Sequence, residues 1–137
     1  MSDQTPDGGR LFATGATRDA DTGKLDYEGF LSPIVLRRYA EYMHACRTRN
    51  VPPGQALRSS DNWQKGIPRE QYVKSLIRHA VEVWLIEDGF EARDEKGNAI
   101  DLETALCAIL FNAAGRLFEE LKGKVTPRST SGQKDGK

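Results

Sequence analysis

The chain has 137 residues, room for one domain with a modest core, and its 20 Lys and Arg residues balance its 20 Asp and Glu residues. No overall field therefore argues for nucleic acid as a partner. No signal-peptide hydrophobic region opens the chain, and no apolar run approaches the roughly 20 residues that cross a bilayer, which predicts a soluble cytoplasmic protein without a membrane partner.

Residues 1–30 are rich in Gly, Asp and Thr and carry neither helical nor strand periodicity. They predict an arm, flexible over 1–14 and partly ordered beyond, whose end Leu25, Tyr27 and Phe30 pin onto a core. Ser32 followed by Pro33 is a helix start, a side-chain cap with proline in the first turn, and predicts a first helix from Ile34 to about Thr48. Val35, Leu36, Tyr39, Tyr42, Met43 and Cys46 form its apolar side; Arg37, Arg38, Glu41, His44 and Arg47 form a charged one. The connection from about Arg49 to Ile67 is long for a compact helical domain, a length more often functional than ordinary.

Pro68 opens a second predicted helix that stops at Gly89. Apolar residues nearly encircle it, from Tyr72 and Val73 to Leu85 and Ile86, which predicts a central position. Asp94 to Asn98 reads as the turn of a small hairpin, after which Asp101 caps a third helix, Leu102 to about Lys122. From Lys122 onward the charged side chains are basic except for Asp135, in a stretch rich in Gly, Ser and Thr, so residues 123–137 are expected to form a disordered basic tail.

The expected architecture is mainly α: a single helical domain over 15–122, a small bundle of about three main helices with a long ordered loop. So few helices with such wide apolar surfaces rarely close a covered core, which predicts completion by a homo-oligomer. Cys46 and Cys107 lack Cys-x-x-Cys or Cys/His spacing and read as buried, reduced thiols. There is no P-loop, because Leu25 occupies the Ser/Thr place after Gly23-Lys24; no Gly-x-Ser-x-Gly, His-Glu-x-x-His or EF-hand pattern occurs either.

Two polar features interrupt the apolar helices. His79 and Glu82 are three residues apart, so they share one face and either act on one ligand or pair with each other. Asn112 lies inside the apolar run Ala105 to Ala114, where its amide needs a partner; it either satisfies a buried backbone group or reads the edge of a base.

In chain order, Gly15-Ala16-Thr17-Arg18-Asp19, Gly23-Lys24-Leu25-Asp26-Tyr27, Leu31-Ser32-Pro33, Asn62-Trp63-Gln64-Lys65-Gly66-Ile67, Arg78-His79 and Phe111-Asn112 form a recognisable series. It resembles the phage-associated dATP/dGTP diphosphohydrolase N-terminal domain family over roughly residues 15–121, most specifically in the Asn-Trp loop followed by Arg-His. That family is similar to MazG-like all-α nucleoside triphosphate pyrophosphohydrolases. The resemblance implies magnesium-dependent hydrolysis of a purine deoxynucleoside triphosphate to monophosphate and pyrophosphate, in the cytoplasm of an infected or lysogenic bacterial cell. MazG-like enzymes hold magnesium with Glu-x-x-Glu and Glu-x-x-Asp pairs, and the three predicted helices contain neither spacing.

On this reading hard oxygen ligands come from Glu82, Glu87 and Asp88 on the second helix and Glu41 on the first, with His79 orienting a ligand or accepting a proton. Glu41 has a plainer alternative as partner of Arg37 or Arg38. Arg18, Lys24, Lys65 and Arg78 are candidate phosphate contacts. Trp63 either stacks on a purine or packs beside Ile67, and Asn62 either touches ligand or holds the turn. The alternative function is a non-catalytic protein that binds and sequesters a nucleotide or nucleotide-derived signal on the same scaffold; a weaker third is a protein-interaction module.

Overall fold

The computed structural model describes residues 3–4, 8–49 and 51–125, and it is mainly helical. The chain divides into two compact units, Met1–Pro33 and Ile34–Lys137. The division thus follows the arm region as a whole and does not fall at residue 14, while the expected tail beyond residue 125 lies outside the described residues.

The first unit contains three short antiparallel strands, β1 (Asp3–Gln4), β2 (Arg10–Leu11) and β3 (Thr17–Arg18), with Asp3 opposite Leu11 and Arg10 opposite Arg18. Strands this short leave no alternation for the eye to find, which is why the sequence reads as irregular there. Arg10 holds the following turn through Asp21 at 2.9 Å and the Asp19 carbonyl at 3.1 Å. Asp26 then caps a single helical turn, α1 (Tyr27–Phe30), by accepting the Gly29 N–H at 2.9 Å. Leu25, Tyr27 and Phe30, expected as anchors, are exposed.

The second unit is built on α2 (Pro33–Thr48), α3 (Arg69–Glu87) and α4 (Leu102–Leu121). Gly89, at φ 88°, takes the left-handed conformation that ends α3, and the Phe90 N–H returns to the Leu85 carbonyl at 2.8 Å. A two-stranded hairpin follows, β4 (Ala92–Arg93) with β5 (Ala99–Ile100), its turn held by Asp94 Oδ1, which accepts the Lys96 and Asn98 N–H groups at 2.9 and 2.8 Å. Asp101 caps α4 by accepting the Thr104 N–H at 2.8 Å, as its position predicts.

The hairpin turns the chain back, so α3 and α4 pack antiparallel. Tyr72, near the start of α3, meets Phe111, midway along α4, with ring centroids 5.9 Å apart, and approaches Gly115 one turn farther on. Along α4 the buried positions Ala105, Ala108, Asn112 and Gly115 follow helical spacing and are mostly small, which lets the two backbones come close. Gly115 is required at its position, because a Cβ there would lie far inside van der Waals contact with Tyr72 Cε1.

Two expectations about packing are corrected. α3 is not surrounded: only Tyr72 and Glu82 are buried along it, while Val73, Ile77, Val81, Trp84 and Leu85 are exposed. Apolar content all round a helix does not supply neighbours on every side. Cys107 is buried as expected, but Cys46 is only partly so, because it faces a cavity; both thiols are free.

α2 meets α4 through Arg38 Nε and Glu103 Oε1 at 2.6 Å. Its far end is tied to the long connection by a reciprocal pair of bonds: Arg47 Nε donates to the Arg58 carbonyl and Arg58 Nη2 donates to the Cys46 carbonyl, each at 2.8 Å. Among the described residues no helix is long and apolar enough to cross a membrane.

Candidate functional site

This clasp shapes a cavity of about 640 Å³ between the end of α2, the connection and one residue of α4. Its volume lies in the range of small-molecule sites, roughly 300–1,000 Å³. Arg47, Arg49, Arg58, Ser59 and Ser60 line one part, and Tyr42, Met43, Trp63, Ile67 and Phe111 supply apolar and aromatic surface, with Asn62 beside Trp63.

Each lining group has a local reason for its place. Asn62 and Trp63 belong to a 3-10 turn, Asn62–Lys65, which Gly66 ends at φ 113°. The Trp63 ring meets the Phe118 ring edge to face at 4.9 Å, so the loop is anchored to α4 through the same indole that lines the cavity. Both readings of Trp63 thus have a geometric basis. Asp61 hydrogen-bonds the Ser59 hydroxyl, and that bond, with a backbone bond, holds its carboxyl below the usual range. Burial pushes the Tyr42 phenol well above its ordinary value, so it lines the cavity as a neutral hydroxyl.

The arginines stand out by what surrounds them. Among the described residues no carboxylate lies within ion-pair distance of Arg47, Arg49 or Arg58, whereas Arg10, Arg38, Arg93 and Arg116 each have one. Uncompensated cations gathered in a concave, partly apolar site suit an anionic ligand.

A second polar place lies on α3. His79 Nδ1 and Glu82 Oε1 are 2.6 Å apart, and Glu82 is 6% exposed. Glu82 also lines a separate depression of about 440 Å³ with Arg78, Val81, Leu85, Arg93, Asp94 and Glu95. The two hollows share no residue, so the structure divides the predicted site residues between them: Asn62 and Trp63 in one, Arg78 and Glu82 in the other.

The remaining candidates sit elsewhere. Asn112 Nδ2 donates to the Ala108 carbonyl at 2.8 Å, a bond within its own helix, and the amide lines neither hollow. Lys65 is exposed at the end of its turn, outside the cavity lining. Arg18 and Lys24 are exposed side chains of the first unit.

The four candidate metal ligands are not brought together. Glu41 faces solvent beside Arg37, 3.9 Å away, which is its plainer reading. Glu87 and Asp88 are exposed at the end of α3, beyond the face that carries Glu82. Among the described residues no three His, Cys, Asp or Glu side chains gather as a metal site. The donor set of this chain therefore does not fit a magnesium held by these four carboxylates alone.

Sequence reasoning missed Arg47, Arg49, Arg58 and Tyr42 as site residues. A usable signal was present: between Glu41 and Asp61 the chain carries three arginines and no acidic residue. No family model, curated protein or solved structure matches the chain.

Proposed function

We propose that this chain binds a purine nucleoside triphosphate in the arginine-lined cavity, and that the reaction class is the one its sequence resemblance implies, cleavage to the monophosphate and pyrophosphate. The observation that carries the reading is the meeting of Trp63 and Asn62 with three guanidiniums in one cavity. An indole and a phenyl ring offer flat apolar surface to a base, an amide offers donor and acceptor to its edge, and guanidiniums suit phosphate oxygens. The choice of a purine deoxynucleotide rests on the resemblance alone.

The second reading, a protein that holds a nucleotide or nucleotide-derived signal without cleaving it, is favoured by one observation: among the described residues the carboxylates needed for a shared magnesium do not gather. Glu82 lines the other hollow, so the part-buried His79–Glu82 hydrogen bond, which fixes the imidazole's orientation, stands apart from a nucleotide in the arginine-lined cavity. A homo-oligomer is part of the same proposal, supported by the uncovered apolar side chains of α3.

The test is pyrophosphate release from the common ribo- and deoxynucleoside triphosphates with magnesium, manganese or chelator, read beside thermal stabilisation. Release confined to purine deoxynucleotides, with both release and nucleotide stabilisation weakened in Arg49→Gln, is the expected outcome. Stabilisation without product selects the binding protein; neither signal discards both readings.

A further inference from the structure

We infer that the end of α2 and residues 58–60 form a polyphosphate subsite that holds a chain of phosphates without help from a base, so that free inorganic tripolyphosphate is a ligand in its own right. The inference deepens the nucleotide proposal and rests on it for the cavity's use, but it makes a separate claim about where the binding energy lies.

Three observations support it. First, local bonds hold the three guanidiniums at the lining of one cavity: Arg58 Nη2 is bonded to the Cys46 carbonyl, Arg47 Nε to the Arg58 carbonyl, and Arg49 Nη2 lies 3.9 Å from Cys46 Sγ. Like charges gathered in one cavity repel, and an anion between them removes that cost. Second, these bonds occupy one guanidinium nitrogen of each arginine, whereas a guanidinium carries five N–H donors in a fork that matches phosphate oxygens. Third, Ser60 lines the same cavity and adds a hydroxyl to the donor set, the Ser59 hydroxyl being given to Asp61, while no carboxylate contributes to the lining.

The donors belong to the phosphate end, whereas the aromatic and amide groups, Trp63, Phe111 and Asn62, form the rest of the cavity. Affinity should therefore rise with phosphate number, from orthophosphate to pyrophosphate to tripolyphosphate, and fall with added salt. Pyrophosphate is also the second product of the proposed reaction, so the subsite would retain it and slow turnover at high product concentration.

The test uses the full chain with chelator present. Tripolyphosphate, pyrophosphate, deoxyadenosine and dATP are titrated by calorimetry into the wild type, Arg49→Gln, Arg58→Gln and, as a control outside the cavity, Arg37→Gln. Arg49→Gln is the key variant, because among the described residues the one hydrogen bond of its side chain is the long one to Cys46 Sγ. Tripolyphosphate should bind the wild type and Arg37→Gln alike and bind Arg49→Gln about tenfold or more weakly, the expected loss of a charge-assisted hydrogen bond. No tripolyphosphate binding, or binding by Arg49→Gln and Arg58→Gln as tight as that of the wild type, overturns the subsite. If dATP binds while tripolyphosphate does not, the subsite falls and the nucleotide reading stands. If tripolyphosphate binds while dATP gains nothing over it and deoxyadenosine is inert, the subsite stands and the nucleotide reading falls.

Discussion

The seam between α3 and α4 and the cavity at the end of α2 treat polar groups in opposite ways. On these two helices the buried polar groups are mostly engaged: Glu82 with the part-buried His79, and Asn112 with the Ala108 carbonyl. In the cavity, Arg49 and Arg58 are exposed and Arg47 is half-buried, and none has a carboxylate partner among the described residues. A satisfied polar group in a seam specifies which surfaces meet, and its removal is felt as lost stability. An uncompensated charge in an open hollow adds little to folding, so its removal is felt when a ligand arrives. Substitutions along the seam should move the melting temperature, whereas substitutions in the cavity should move ligand affinity.

The sharpest probe of the seam is Gly115→Ala. The new methyl would overlap the Tyr72 ring, which is 1% exposed and has nowhere to swing. Overpacking costs about 1–3 kcal/mol in ordinary cores and here meets a ring directly, while alanine's helix propensity returns roughly 1 kcal/mol, so a net loss of about 2 kcal/mol is expected by chemical denaturation. Unchanged stability would mean that the helices are farther apart than described. Next in size is Glu82→Ala, which leaves the half-buried His79 ring without its partner and should cost about 1–2 kcal/mol, with Glu82→Gln recovering part of the loss. If Glu82→Ala also abolishes tripolyphosphate binding, the separation of seam from cavity fails.

How these places read from sequence differs for the same physical reason. The helix limits were legible because their signals are local: Pro33, the Asp101 cap and the Gly89 stop each act within a turn of the chain. The His79–Glu82 pair was legible because a spacing of three fixes two side chains on one helical face. The arginine cavity was not, since Arg58 meets the end of α2 only through a loop whose path no local rule sets. The exposure of Ile77 and Trp84 was hidden likewise: periodicity shows which faces are apolar, and tertiary packing decides which are covered.

A smaller effect separates the start of α4 from both regions. The hydrogen bond from Thr104 holds the Asp101 carboxyl below its usual range. Its folded-state value is thus lower than in the unfolded chain, so the ionised cap contributes fully above about pH 4 and is lost as pH falls through the folded value. Asp101→Ala should cost about 1 kcal/mol near neutral pH, and the gap between mutant and wild type should narrow in acid melts below about pH 4. A gap of constant size across that range would show that the side chain stabilises α4 without its charge.

The smallest expected change carries the most pointed test of the seam. Tyr72 Oη and Glu119 Oε2 are both buried without a hydrogen-bond partner among the described residues, although Glu119 Oε1 reaches Lys122 Nζ at 2.8 Å. Burial, with the nearby Glu119 carboxylate second, pushes the Tyr72 phenol above its ordinary value, so the hydroxyl remains neutral. Removing an unsatisfied hydroxyl while keeping the ring relieves a desolvation cost and preserves the packing against Phe111. Tyr72→Phe should therefore leave stability unchanged or raise it by up to about 1 kcal/mol, alone among seam substitutions in not lowering the melting temperature. A clear loss would mean that Tyr72 Oη is bonded in solution, and the seam would then contain a polar network extending to Glu119.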